Sequence, residues 1–185
     1  MIGLTVFTLF VFFVIALIRP KKPVIVSHWH NLIQGLQFSV EDYYNALDAV
    51  IEKRKVPEVK VEVTHYREGG IASAKRMYLR IGRRDHIFDV CAAPFGTDFF
   101  VSWWLGQNMK TMGAIINGLP FIGPPLIRLF SPETFYRIDT ALMFQDSVHQ
   151  AVLEVLDDRI KGQGLRSMTE SERKPIMREL FKQRR

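Results

Sequence analysis

Residues 2–18 read IGLTVFTLFVFFVIALI, an uncharged apolar run followed at once by Arg19-Pro20-Lys21-Lys22-Pro23. A run of about seventeen such residues lies at the short edge of what crosses a bilayer as a helix. Basic residues directly after it are a retention signal on the inner side. A cleaved secretory signal needs a basic segment before the run and a small-residue site after it. Here no basic side chain precedes the run, and Ala16-Leu17-Ile18 leads straight into Arg19. The sequence therefore predicts an uncleaved single-pass anchor over 1–19, in contact with lipid through Ile2, Phe7, Phe10, Phe13 and Ile18. Arg19, Lys21, Lys22 and Trp29 are its expected interface anchors. The charge asymmetry places the N-terminus outside and the rest of the chain in the cytoplasm.

The chain has 185 residues, so about 165 remain after the run, enough for one domain with a real core. Lys and Arg number 25 against 19 Asp and Glu, a formal charge of +6. Beside an anchor, so modest an excess points to anionic headgroups rather than to nucleic acid. Cys91 is the single cysteine, which excludes an intrachain disulfide framework and fits a reducing compartment.

Residues 20–38 read as a membrane-proximal connector, stiffened by Pro20 and Pro23, with an extended piece before a turn of helix. The spacing of Val40, Tyr43, Tyr44, Leu47, Val50 and Ile51 predicts a helix over 40–55 with one apolar face. Ser39 and Asp42 resemble a capping box, and Pro57 stops the helix. Residues 58–66 alternate, with Val59, Val61, Val63 and His65 on one side. Segments 72–81, 86–92 and 97–105 continue the pattern across turns at 67–70, 82–85 and 93–96. Four consecutive strands with short turns predict an antiparallel meander, because parallel pairs need long crossovers. The fourth strand is apolar on both sides: Phe99, Val101, Trp103 and Leu105 on one, Phe100 and Trp104 on the other. Phe100, Trp103 and Trp104 are therefore the expected partner-binding residues.

Residues 111–127 form a second uncharged run, broken by Gly113, Gly118, Pro120, Gly123, Pro124 and Pro125. Such a run does not make a plain spanning helix, and segment 111–130 reads as interfacial or re-entrant. A long helix follows over 132–161, with Ser131 as cap, Pro132 at its first position and Gly162 at its end. Its buried stripe runs from Phe135 and Ile138 through Leu142, Val148, Val152 and Leu156 to Ile160. At about 1.5 Å per residue it reaches about 45 Å, more than the small sheet needs. Residues 163–185 predict a basic tail helix opened by a Thr169–Glu172 capping box.

Chemistry is sparse. His28 and His30 sit two apart on an extended piece and point the same way, but two ligands fall short of the three or four that zinc needs. Interfacial anchoring is the plainer role. Cys91 lies in an apolar strand, where thiols are inert, and Ser102 lacks elbow glycines. Lys75, Arg76, Arg80, Arg83 and Arg84, with Tyr78 among them, form a candidate patch for an anion or lipid headgroup. Glu62, Glu68, Asp85 and Asp89 are its possible cross-strand partners. No catalytic residue and no cofactor is assigned.

The resulting fold class is α+β: a transmembrane helix, then a domain over 39–162 with an N-terminal helix, a four-stranded antiparallel meander and a long C-terminal helix. The expected function is a membrane-anchored, non-enzymatic scaffold or accessory subunit. Its partners are lipid and other protein subunits or further copies of itself, and nucleic acid is disfavoured. The alternatives are a membrane-perturbing effector that inserts 111–127, and a metal-dependent enzyme using His28 and His30.

Overall fold

The computed structural model describes residues 24–67, 75–107 and 135–177. Strand β1 (Val24–Ile33) is followed by helix α1 (Val40–Lys53). Four strands come next: β2 (Val59–Arg67), β3 (Lys75–Arg83), β4 (His86–Phe95) and β5 (Asp98–Gln107). Helix α2 (Phe135–Gly162), the single turn α3 (Glu170–Arg173) and the two-residue strand β6 (Ile176–Met177) complete them. The strand order is β2-β3-β4-β5-β1-β6, and every pairing is antiparallel.

The meander is therefore part of a larger sheet. Five long strands build it, and the fifth is β1, drawn from the segment expected to be a membrane-proximal connector. Its alternation is masked in the sequence by an irregularity between Ile25 and Ser27 that shifts the register on β5. Such a bulge moves the side chains beyond it to the opposite face. Beyond the shift, Ser27, Trp29 and Ile33 are buried while His30 and Leu32 are exposed. Trp29, expected at a lipid interface, is 2% exposed in the core.

The membrane assignment needs correction as well. Among the described residues no helix is long and apolar enough to cross a membrane, so the single-pass topology, with the N-terminus outside and a cytoplasmic domain, has no support in the structure. The run 2–18, Arg19, Lys21, Lys22 and the broken segment 111–130 lie outside the described residues.

Helix α1 forms where its pattern predicts. Ser39 is extended and its hydroxyl accepts from the Asp42 N–H at 3.0 Å, with Glu41 and Asp42 at the positive end of the dipole. Tyr43, Tyr44, Leu47 and Ile51 are its buried stripe. The Tyr44 hydroxyl donates to the Met77 and Val90 carbonyls (2.9 and 3.3 Å) and accepts from the Ala92 N–H (3.0 Å). It takes the place of a ladder bond where the β3–β4 register ends at Tyr78 and Cys91.

Helix α2 buries Phe144, Val148, Ala151, Val152, Val155, Leu156 and Ile160, while Phe135, Tyr136 and Met143 in its first turns are exposed. Gly164, at φ +67, closes its end. The Leu165 N–H reaches back to the Ile160 carbonyl and the Gly164 N–H to that of Lys161, the left-handed cap that glycine permits. Among the described residues the expected tail helix is a single turn, and 178–185 lie outside them. Thr169 and Glu172 form the predicted capping box, but Lys174 is already extended, and Ile176–Met177 pairs with β1. Arg173 fixes this strap by a two-pronged ion pair to Asp157 on α2 (2.8 and 2.6 Å).

Both helices lie on one face of the sheet. The core between them holds Phe88, Val90, Phe99, Val101, Trp103 and Leu105 from the strands, with Leu47 and Leu156 from the helices.

Candidate functional site

The face of the sheet opposite the helices carries the side chains that the core does not use. Register defines its rows. Glu62 lies across from Arg80, Arg80 from Asp89, Asp89 from Trp104, Trp104 from His28, and His28 from Ile176. Beside that row run Thr64, Tyr78, Cys91, Ser102 and His30. Ala93, Phe100 and Leu32 form a third.

Trp104 is 42% exposed, and its ring stacks on His28 at 4.8 Å and 13°. His30 continues the stack, 6.4 Å from His28 and within 3° of parallel. Ile25, Leu32 and Ile176 add exposed apolar surface on the same side of β1 and β6. Among the described residues no helix packs on this face, and contiguous exposed apolar side chains, unlike singly scattered ones, are characteristic of interaction surfaces.

The charges near this strip are largely satisfied. Asp89 accepts from Arg80 at 2.8 and 3.0 Å and from the Tyr66 hydroxyl at 2.7 Å. Arg80 also contacts that hydroxyl and lies 5.6 Å from the Tyr66 ring centre. Burial pushes the Asp89 carboxyl above its ordinary range, outweighing the opposing pull of Arg80.

The candidate anion patch is dispersed by the fold. Arg76 and Arg80 stand on the outer face, and Arg80 is consumed by Asp89. Lys75 and Arg83 fall in the phase of Leu79 and Ile81, and Arg83 donates to the Pro57 carbonyl at 3.0 Å. Arg84 sits in the β3–β4 turn at φ +52, paired with Glu58.

The expected partner residues divide as their alternation requires. Phe100 and Trp104 face outward, whereas Trp103 is wholly buried, its indole N–H donating to His149 Nδ1 at 3.1 Å. His149 Nε2 in turn donates to the Arg173 carbonyl at 2.7 Å. Trp29 Nε1 donates to the Glu172 carbonyl at 2.7 Å, and the Ser27 hydroxyl donates to Gln145 at 2.6 Å. This buried network ties β1, β5 and α2 to the C-terminal strap. Its signal in the sequence is the pair Gln145 and His149, four apart and next to the buried Val148 and Val152, where a polar residue must bring its own partner. Burial lowers the His149 pKa below 6.5.

Nucleophilic and metal chemistry find little here. Burial raises the Cys91 thiol, with Arg76 and Tyr78 pulling the other way, and a raised thiol is a poor nucleophile. Ser102 is 5% exposed and faces His30 across the ladder, with no hydrogen bond between them among the described residues. The near-parallel rings of His28 and His30 direct their in-plane lone pairs side by side rather than at one ion. Among the described residues no three His, Cys, Asp or Glu side chains gather as a metal site.

No family model, no curated protein and no solved structure matches the chain.

Proposed function

We propose that the chain is a non-enzymatic scaffold or accessory subunit that docks another protein on the outer face of its sheet. One observation carries the reading: exposed Trp104 stacked on half-buried His28, flanked by exposed Ile25, Leu32 and Ile176, on the face away from both helices. Tryptophan, tyrosine and arginine are the residue types on which protein interfaces concentrate their energy. A nucleic acid would need free cations to meet its phosphates, yet Arg80 and Arg84 are held in ion pairs and Arg83 by a carbonyl. A protein partner with an apolar centre and a polar rim fits this strip better.

The test is affinity purification of the full chain from its native cells, with chemical cross-links mapped by mass spectrometry. A stoichiometric partner is expected that is lost with Trp104→Ala or Leu32→Ala. A partner indifferent to both substitutions, or one cross-linked to the helix side alone, overturns the assignment.

A further inference from the structure

The far edge of the sheet carries a second surface, independent of the Trp104 strip. Strand β2 is outermost, and among the described residues it pairs with β3 alone. Its register runs unbroken from Val59 opposite Arg83 to Arg67 opposite Lys75. An outer strand presents a row of main-chain donors and acceptors to any strand that meets it, and proteins blunt such edges with proline, bulges, short length or charges that repel a like strand. On β2 the charges of Lys60 and Glu62 are of opposite sign. Strand β2 has nine residues, no proline and no bulge. Val59 and Val61 pack against the core, but Val63, next in the same phase, is 53% exposed. Alongside runs an open cleft of about 450 Å³ between α1 and β2, lined by Asp48, Ile51, Glu52, Lys55, Val59 and Val61.

The segment Val59-Lys60-Val61-Glu62-Val63 is a palindrome in character, with opposite charges on either side of its middle valine. We propose that β2 is a self-association edge, on which two copies of the chain pair antiparallel about a two-fold axis at Val61. In that register Lys60 of each copy lies opposite Glu62 of the other, so two ion pairs form on the outer face. On the inner face Val61 meets its own counterpart, and Val63 of each copy meets Val59 at the wall of the other's cleft. Neither Lys60 nor Glu62 makes an ion pair among the described residues.

Neighbouring registers are worse. An axis at Glu62 sets Glu62 against Glu62, and an axis at Lys60 sets Lys60 against Lys60, both like-charge pairs that destabilise a ladder. An axis at Val63 sets Lys60 opposite Tyr66 and Glu62 opposite Thr64, with no ion pair. Closure by a two-fold uses each edge once and ends the assembly at two copies.

Disulfide trapping in the full chain tests the register. Residues directly opposite on paired strands bring their Cβ atoms to about 4.5–5.5 Å, near the reach of a disulfide. Val61→Cys is expected to cross-link to twice the chain mass under mild oxidation. Thr64→Cys, which has no counterpart opposite itself, is expected to stay monomeric. Cys91 is buried in both. Glu62→Lys is expected to weaken association about tenfold by turning two attractions into two repulsions, and Lys60→Glu/Glu62→Lys to restore it. Trp104→Ala should leave the trap unchanged, which separates this edge from the outer-face reading. Trapping at position 64 as fast as at 61, no trapping at 61, or a double swap as weak as the single reversal each overturns the proposal.

Discussion

Trp103 and Trp104 are neighbours in β5, yet they belong to different regimes. The first is wholly buried between sheet and helices, and its indole N–H is matched by His149. The second is 42% exposed on the opposite face, and its ring rests on His28. Alternation along a strand sends adjacent side chains to opposite faces, so one residue of phase separates a tryptophan buried in the core from one exposed on the outer face. The inner face is spent on stability. The outer face carries exposed aromatic and aliphatic side chains, Trp104, Ile25, Leu32 and Ile176.

The sharpest way to break this contrast is to truncate each ring in turn. Trp103→Ala is expected to cost about 3–5 kcal/mol, the range for removing a large buried ring, and to orphan the His149 acceptor. Trp104→Ala is expected to cost no more than about 1 kcal/mol, as exposed positions do. Urea denaturation of both variants measures the difference, and equal losses would erase the distinction between the faces.

The next effect lies within the inner face. Tyr44→Phe removes the hydroxyl that serves Met77, Val90 and Ala92. Leaving buried main-chain groups without their partner costs about 1–3 kcal/mol. Amide exchange at Ala92 should quicken with it, and unchanged exchange there would deny the hydroxyl its place in the ladder.

The buried network also sets a pH dependence. His149 is neutral in the fold, accepting at Nδ1 and donating at Nε2. Burial is the main cause of its lowered pKa, with Asp146 and the Arg173 carbonyl opposing and Arg173's charge assisting. Below pH 6.5, its ordinary value, the unfolded chain binds a proton that the fold refuses, so stability is full above that pH and falls as the pH drops through it. Thermal melting from pH 7.5 to 5 should show this loss for the native chain and a shallower one for His149→Leu. Parallel slopes would remove His149 as the cause.

The smallest expected change is Tyr43→Phe. Its ring is fully buried among Phe38, Tyr44 and Phe99, but its hydroxyl has no hydrogen-bond partner among the described residues. Deleting an unsatisfied polar atom is neutral or mildly stabilising. A loss above about 1 kcal/mol in denaturation would mean that the hydroxyl is satisfied after all.

Much of the inner face was legible in the sequence. The capped pattern over 40–55 became Val40–Lys53, and strands expected at 58–66, 72–81, 86–92 and 97–105 fell within a few residues of β2 to β5. Pro94 and Phe95 were expected in a turn, but β4 runs on to Phe95 and the chain reverses at Gly96-Thr97, where Gly96 takes φ +64. A proline is tolerated there because it sits at the strand's end. Strand β1 was hidden for two reasons. Its bulge breaks the period of two, and its pairing partner β5 lies far along the chain. The outer site was half visible. Phe100 and Trp104 were expected to seek a cover, but that His28 stacks on Trp104 depends on a long-range register that no local pattern encodes. The charged patch dissolved for the same reason, since local spacing gathers arginines without showing which carboxylate or carbonyl each will meet.

The most direct test of the outer face as a protein-docking surface is site-specific photocross-linking in native cells. A benzophenone side chain would be placed at Trp104, and in parallel at Glu41 on the exposed side of α1. The account predicts one discrete protein adduct from position 104, none from position 41, and loss of the adduct when Leu32→Ala is added. Equal labelling from both positions, or an adduct from position 104 that survives Leu32→Ala unchanged, would contradict it.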